Sequence, residues 1–217
     1  MTEVIRFGDC LSVLSLFKDV ILMWWIPTLD VDLWNAWWLC VPFLVPSLLI
    51  GLRRRDVAAR MADMTGYTTK EKAFTAVASL APYPFMFLTV WTPFADQLPW
   101  LAGGAVLYLA GIVFFYATIR VFLVTPSEHR LTAGPYRHSR NPMYVSAGLV
   151  FFGIILMTTS LPLLIIELIL LAFQHRMILA EERRCLAVYG VEFDDYMKKV
   201  PRYLWNSVTD ARDAHGE

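Results

Sequence analysis

The sequence predicts an all-α, polytopic membrane bundle of about five transmembrane helices, ending in a helical hairpin and a polar C-terminal tail. Three observations carry this. Apolar residues make up 57% of the chain against 18% charged, and the mean hydropathy is positive, a balance suited to lipid rather than water. Several apolar runs reach the roughly 20 residues that a helix needs to cross the hydrocarbon core. Basic residues gather in a few loops and leave others bare.

The first 33 residues hold an apolar stretch at 10–27 with Lys18 and Asp19 at its centre. Charge at mid-bilayer costs ~2.5–3.5 kcal/mol per residue, so an interfacial amphipathic helix is expected there rather than a span. The opening MTEVIRFGDC does not read as a cleaved signal peptide. Residues 34–52 (WNAWWLCVPFLVPSLLIGL), 73–91 and 100–124 are three spans, grouped in a substrate-side region at 34–124. From 143 to 173 the apolar run exceeds one span. Thr158, Thr159, Ser160, Leu161 and Pro162 break it into a hairpin, with proline suited to a helix start. Residues 125–204 thus form a polar loop, the hairpin and a C-terminal helix, and 205–217 form a disordered tail.

Orientation follows from charge. Arg53, Arg54, Arg55, Arg60, Lys70 and Lys72 follow the first span; Arg130, Arg137 and Arg140 follow the third; the C-terminal segment carries Arg176, Arg183, Arg184, Lys198, Lys199 and Arg202. The connector FADQLPW and the hairpin turn carry none. The positive-inside rule puts the three basic regions in the cytoplasm, with five spans in agreement. Zero net charge and the lack of a basic, aromatic-interleaved stripe argue against nucleic acid as a partner. Cys10, Cys40 and Cys185 are scattered, so neither a disulfide framework nor a structural metal is expected.

Two polar features interrupt the apolar chain. One is TPSEHRLTAGPYRHSRNPMY at 125–144. The other is a helical stripe in which Glu167, Gln174 and Glu181 recur every seven residues, flanked by His175 and Glu182. Glu167 is the deepest member. It reads either as a functional-site group or as a protonated acid bonded to a neighbouring helix.

GPYRHSRNPMY, with HRL upstream, resembles the GPYRxxR(H/N)PxY signature of the isoprenylcysteine carboxyl methyltransferase and phospholipid N-methyltransferase superfamily. EERRCLAVYGVEFDDYMKKVPR resembles the same superfamily's EE...(F/Y)Gxx(F/Y)xxYxxxVPR ending. The resemblance covers 125–204. Asn141 stands where many members have histidine, and Cys185 where an aliphatic residue is common.

The resemblance implies an integral membrane methyltransferase that uses S-adenosylmethionine bound at the cytosolic face, with the lipid bilayer and a lipophilic methyl acceptor as partners. It implies cofactor contacts from His129, Leu131, Gly134, Pro135, Tyr136, Arg137, Asn141, Pro142, Tyr144, Glu181 and Glu182. Carboxylates suit an ammonium or ribose hydroxyl, arginines and backbone N–H groups a carboxylate, and tyrosine faces an adenine or a sulfonium. Catalytic parts are expected for Arg140, steadying an anionic acceptor, and, should the acceptor be an amine, for Glu182 or His129, relieving it of its proton. No metal is implied. The acceptor is left open between a prenylated carboxylate, a phospholipid amine, a small thiol and an isoprenoid or phenolic hydroxyl. Membrane sterol reductases are similar in their C-terminal half but longer, and a non-catalytic scaffold of the same fold is the other rival. The chain lacks a glycine-rich turn between strand and helix, which removes the doubly wound route to this cofactor. Tyr189, Phe193 and Tyr196 read as packing residues.

Overall fold

The computed structural model describes residues 31–126 and 131–204. The expected interfacial helix, the tail from 205 and His129 lie outside the described residues. The described chain is helical, with a single isolated bridge between Asn35 and Pro93 as its extended pairing.

A 3-10 turn, Ala36–Cys40, leads into α1 (Val41–Arg53), and a short α2 (Arg55–Met61) follows. α3 (Thr69–Leu80) starts at a capping box: the Glu71 amide donates to the Thr68 hydroxyl while the Thr68 amide donates to the Glu71 carboxylate. α4 (Pro82–Leu88) continues the same span after a break. Pro82 and Pro84 supply no N–H, so the run at 73–91 is two helical pieces rather than one rod. α5 (Leu98–Val124) is uninterrupted. α6 (Pro142–Thr158) and α7 (Leu161–Tyr189) form the expected hairpin, turning through Thr159 at φ 48° and Ser160, whose hydroxyl accepts from the Leu163 amide. α8 (Val191–Lys199) closes the chain after Gly190, at φ 55°.

Among the described residues, four helical segments are long and apolar enough to cross a membrane: Ala36–Arg53, Thr69–Trp91, Leu98–Val124 and Leu161–Tyr189. α6 is apolar and 17 residues long, at the lower limit for a span. At ~1.5 Å per residue, α7 measures about 43 Å and outruns a ~30 Å core, so one end projects. Val106, Val113, Leu48 and Leu168 are exposed on the outer surface, as expected where lipid is the solvent.

α5 and α6 are the closest pair. A Cβ on Gly104 would meet the Gly153 carbonyl oxygen at 2.7 Å, and one on Gly111 the Val150 nitrogen at 2.7 Å. Small residues let the two backbones touch. The main core lies beside this seam, where Phe85 stacks on Phe151 and Phe43 on Phe115, with centroids 4.5 and 4.4 Å apart. The Tyr108 hydroxyl donates to the Leu39 carbonyl and fixes the first span against α5.

Candidate functional site

The polar loop is shaped by its own residues. Gly134 adopts φ +57°, which a side chain disfavours, and it lies so near α5 that a Cβ would meet Val121 Cγ2 at 2.9 Å. The 3-10 turn Gly134–Arg137 follows, and the His138 and Ser139 amides both donate to the Pro135 carbonyl. Asn141 and Pro142 then start α6.

The C-terminal segment is laid against this loop. The Arg140 amide donates to the Pro201 carbonyl at 2.9 Å, the Ser139 hydroxyl and the Asn141 side-chain amide both donate to the Arg202 carbonyl, and the Tyr196 hydroxyl donates to the Tyr136 carbonyl at 2.6 Å. Loop and tail therefore act as one unit.

Glu182 is its hub. Arg140 Nε and the Asn141 amide donate to Oε1 at 3.0 and 3.1 Å, while Arg202 Nε and Nη2 donate to Oε2 at 3.0 and 2.9 Å. Arg140 Nη1 also donates to the carbonyls of Met197 and Val200 at 2.8 and 2.7 Å, groups that the end of α8 leaves without helical partners. Its guanidinium is thus committed to the carboxylate on one side and a helix terminus on the other. Glu181, one residue earlier, accepts from the Tyr144 hydroxyl at 3.0 Å through Oε2.

A cavity of about 170 Å³ opens here, lined among others by Leu131, Tyr136, Arg140, Asn141, Pro142, Tyr144, Glu181 and Glu182. Eight of the residues implied by the resemblance therefore meet at one place. Gly134, Pro135 and Arg137 do not line it: the first two bend the loop behind the wall, and Arg137 is exposed. Tyr189, Phe193 and Tyr196 line the cavity while Phe193 and Tyr196 also pack with Val200. Their aromatic spacing in the tail is a signal that packing and lining share.

A second cavity, of about 460 Å³, lies between α1, α3, α5, α6 and α7. Met61, Met143, Tyr144, Glu181 and Arg184 line both. Its walls are mainly apolar, including Phe43, Ile50, Phe115 and Phe151, with polar groups from Tyr67, Thr75 and Gln174.

The 62–68 loop is tied over the mouth. Arg184 pairs with Asp63, and Arg183 donates to Glu71 at 2.6 Å and to the Gly66 carbonyl at 3.1 Å. The Thr65 hydroxyl and amide, and then Arg184, hold the Asp63 carboxyl below its ordinary value. Burial pushes the Tyr67 phenol up, and the nearby Glu181 carboxylate adds to the shift. Met61, Tyr67 and Arg184 had no sequence signal, because their partners lie on elements far along the chain. Glu167 is fully buried, and neither carboxyl oxygen has a hydrogen-bond partner among the described residues, so the bonded form expected for it is not found there.

The walls of the first cavity fit a cofactor that carries a sulfonium and an aromatic base. Glu181 keeps Oε1 without a hydrogen bond to other described residues, and tyrosine and phenylalanine rings form the walls. Residues 101–192 match the family model of phospholipid methyltransferase. No curated protein and no solved structure matches the chain. The matched stretch contains Tyr136, Arg140, Asn141, Tyr144, Glu181 and Glu182, and over it the chain is similar to the phospholipid methyltransferases, which marks it as a membrane methyltransferase.

Proposed function

We propose that the protein transfers a methyl group from S-adenosylmethionine, held in the first cavity, to an amine-bearing amphiphile whose apolar body occupies the second. The observation that carries this reading is the shared wall at Tyr144 and Glu181. A smaller chamber, the more polar of the two, and a larger apolar one meet there, where donor and acceptor have to face each other.

When bound, the cofactor supplies a methyl group activated by its sulfonium. The residues position and desolvate. Glu181 takes the ammonium of the acceptor and accepts the proton it must shed, with Tyr144 orienting the carboxylate. Glu182, Arg140 and Asn141 hold the loop and tail closed around the donor. Arg140 then acts as a positioning residue. A prenylcysteine carboxylate at the same wall would face Glu181, while the nearest guanidinium groups, Arg140 and Arg184, are paired with Glu182 and Asp63; like charges favour the amine. The basic residues around this end of the bundle support a cytoplasmic placement of the donor site.

Calorimetric titration with S-adenosylhomocysteine, with reduced nicotinamide cofactor as control, tests the donor site: saturable binding of the former alone is expected. Transfer of labelled methyl to phosphatidylethanolamine but not to a farnesylated cysteine tests the acceptor. The reverse preference overturns the amine reading and leaves the donor site standing.

A further inference from the structure

Glu181 ends at the shared wall, and Gln174 follows it on the same face of α7, seven residues or about 10 Å along the axis at ~1.5 Å per residue. Gln174 is 7% exposed and reaches both the second cavity and a groove on the far side of α7 beside His175 and Tyr203, and its carboxamide makes no side-chain hydrogen bond among the described residues. Across the cavity on α3, the Thr75 hydroxyl is buried and also unpartnered. The rings of Phe74 and Phe173, with centroids 5.8 Å apart, set these two helices side by side at this level.

Buried polar groups are almost always paired, so the buried, unpartnered Thr75 hydroxyl, with the Gln174 carboxamide at the wall of the same apolar chamber, calls for a group the protein does not supply. Both an amide and a hydroxyl can donate to a neutral oxygen. Neither carries charge, so this level does not suit a phosphate or carboxylate. A purely hydrocarbon body would leave both unpaired.

We infer that Thr75 and Gln174 are specificity-determining residues that take an ester carbonyl in the body of the acceptor, about 10 Å from the methylated atom. This rests on the second cavity being the acceptor chamber. An amine-headed ester lipid places its carbonyls at that kind of distance from its nitrogen; a prenyl chain has no oxygen to offer.

The test uses the full-length protein in detergent, labelled S-adenosylmethionine, and two phosphatidylethanolamines of equal chain length, one ester-linked and one ether-linked. The ester lipid is expected to have the lower KM. Thr75→Val and Gln174→Leu should each raise its KM roughly three- to ten-fold with kcat nearly constant, and leave the ether lipid unaffected. Thr75→Ser should preserve the ester preference. Unchanged S-adenosylhomocysteine affinity and unfolding temperature in each variant assign the effect to the chamber. Equal KM for the two lipids in the parent protein, or equal shifts for both in the variants, overturns this inference alone. Methylation of neither lipid by protein that binds S-adenosylhomocysteine overturns the amine reading and this inference with it.

Discussion

Arg140 and Glu182, 42 residues apart in sequence, meet at 3.0 Å and close the C-terminal segment onto the motif loop. Both side chains are at least nine-tenths buried, so the contact is not a screened surface pair. Glu182→Gln keeps the shape but leaves Arg140 and Arg202 facing a neutral amide, and removing one partner of a buried pair is costly. S-adenosylhomocysteine affinity should fall at least roughly tenfold, read by calorimetry, with the protein still folded in detergent. Unchanged affinity removes Glu182 from the donor site.

Gly134→Ala tests the loop's bend. The left-handed backbone at φ +57° costs a side chain about 1–2 kcal/mol, and the contact with Val121 Cγ2 adds to it. The unfolding temperature should drop, and Val121→Ala in the same chain should restore only the steric share. Full restoration would mean that the backbone conformation carries no cost.

Two motifs were legible because each is local: GPYRHSRNPMY and the EE-to-VPR tail sit on contiguous residues, and the structure brings them to one cavity. The hairpin was legible too, since Ser160 and Pro162 punctuate one apolar run. Arg137 shows the limit of a motif. It shares the GPYR string with Tyr136, yet successive residues of a 3-10 turn face different sides, and Tyr136 goes in while Arg137 stays out. Tyr67, Thr75 and Arg184 were not legible, because which face of α3 meets α7 is decided by packing across more than 100 residues of sequence.

The seam between α5 and α6 gives a paired prediction. A Cβ on Gly153 would meet the Tyr108 nitrogen at 2.6 Å and its Cα at 2.8 Å, and backbone cannot step aside as a flexible side chain does. Gly153→Ala should destabilise by about 1–3 kcal/mol or more. Gly103, in the same helix as Tyr108, has nothing within 4 Å of a built Cβ. Gly103→Ala should be neutral or stabilise by up to about 1 kcal/mol through helix propensity. Thermal unfolding of both variants checks the contrast, and equal losses would show that the seam is not closely packed.

The tie between Asp63 and Arg184 should depend on pH in a defined direction. Asp63 accepts from the Thr65 hydroxyl and amide at 2.6 and 2.9 Å and pairs with Arg184, and these partners lower its pKa in the folded protein. A carboxyl depressed on folding contributes stability that is present above its unfolded value, ~3.9, and is lost as pH falls through the folded value beneath it. The 62–68 loop should therefore stay tied to α7 from pH 5 to 8 and be released only in acid below about 4. Both side chains are part-exposed, so solvent screening keeps the contribution small. Parent protein should unfold roughly 1–3 °C above Asp63→Asn near neutrality, a gap that closes as pH drops below about 4. A gap that persists unchanged at pH 3 would show that the carboxylate's charge is not what ties the loop, and would leave Arg183, bonded to Glu71 and the Gly66 carbonyl, to hold it.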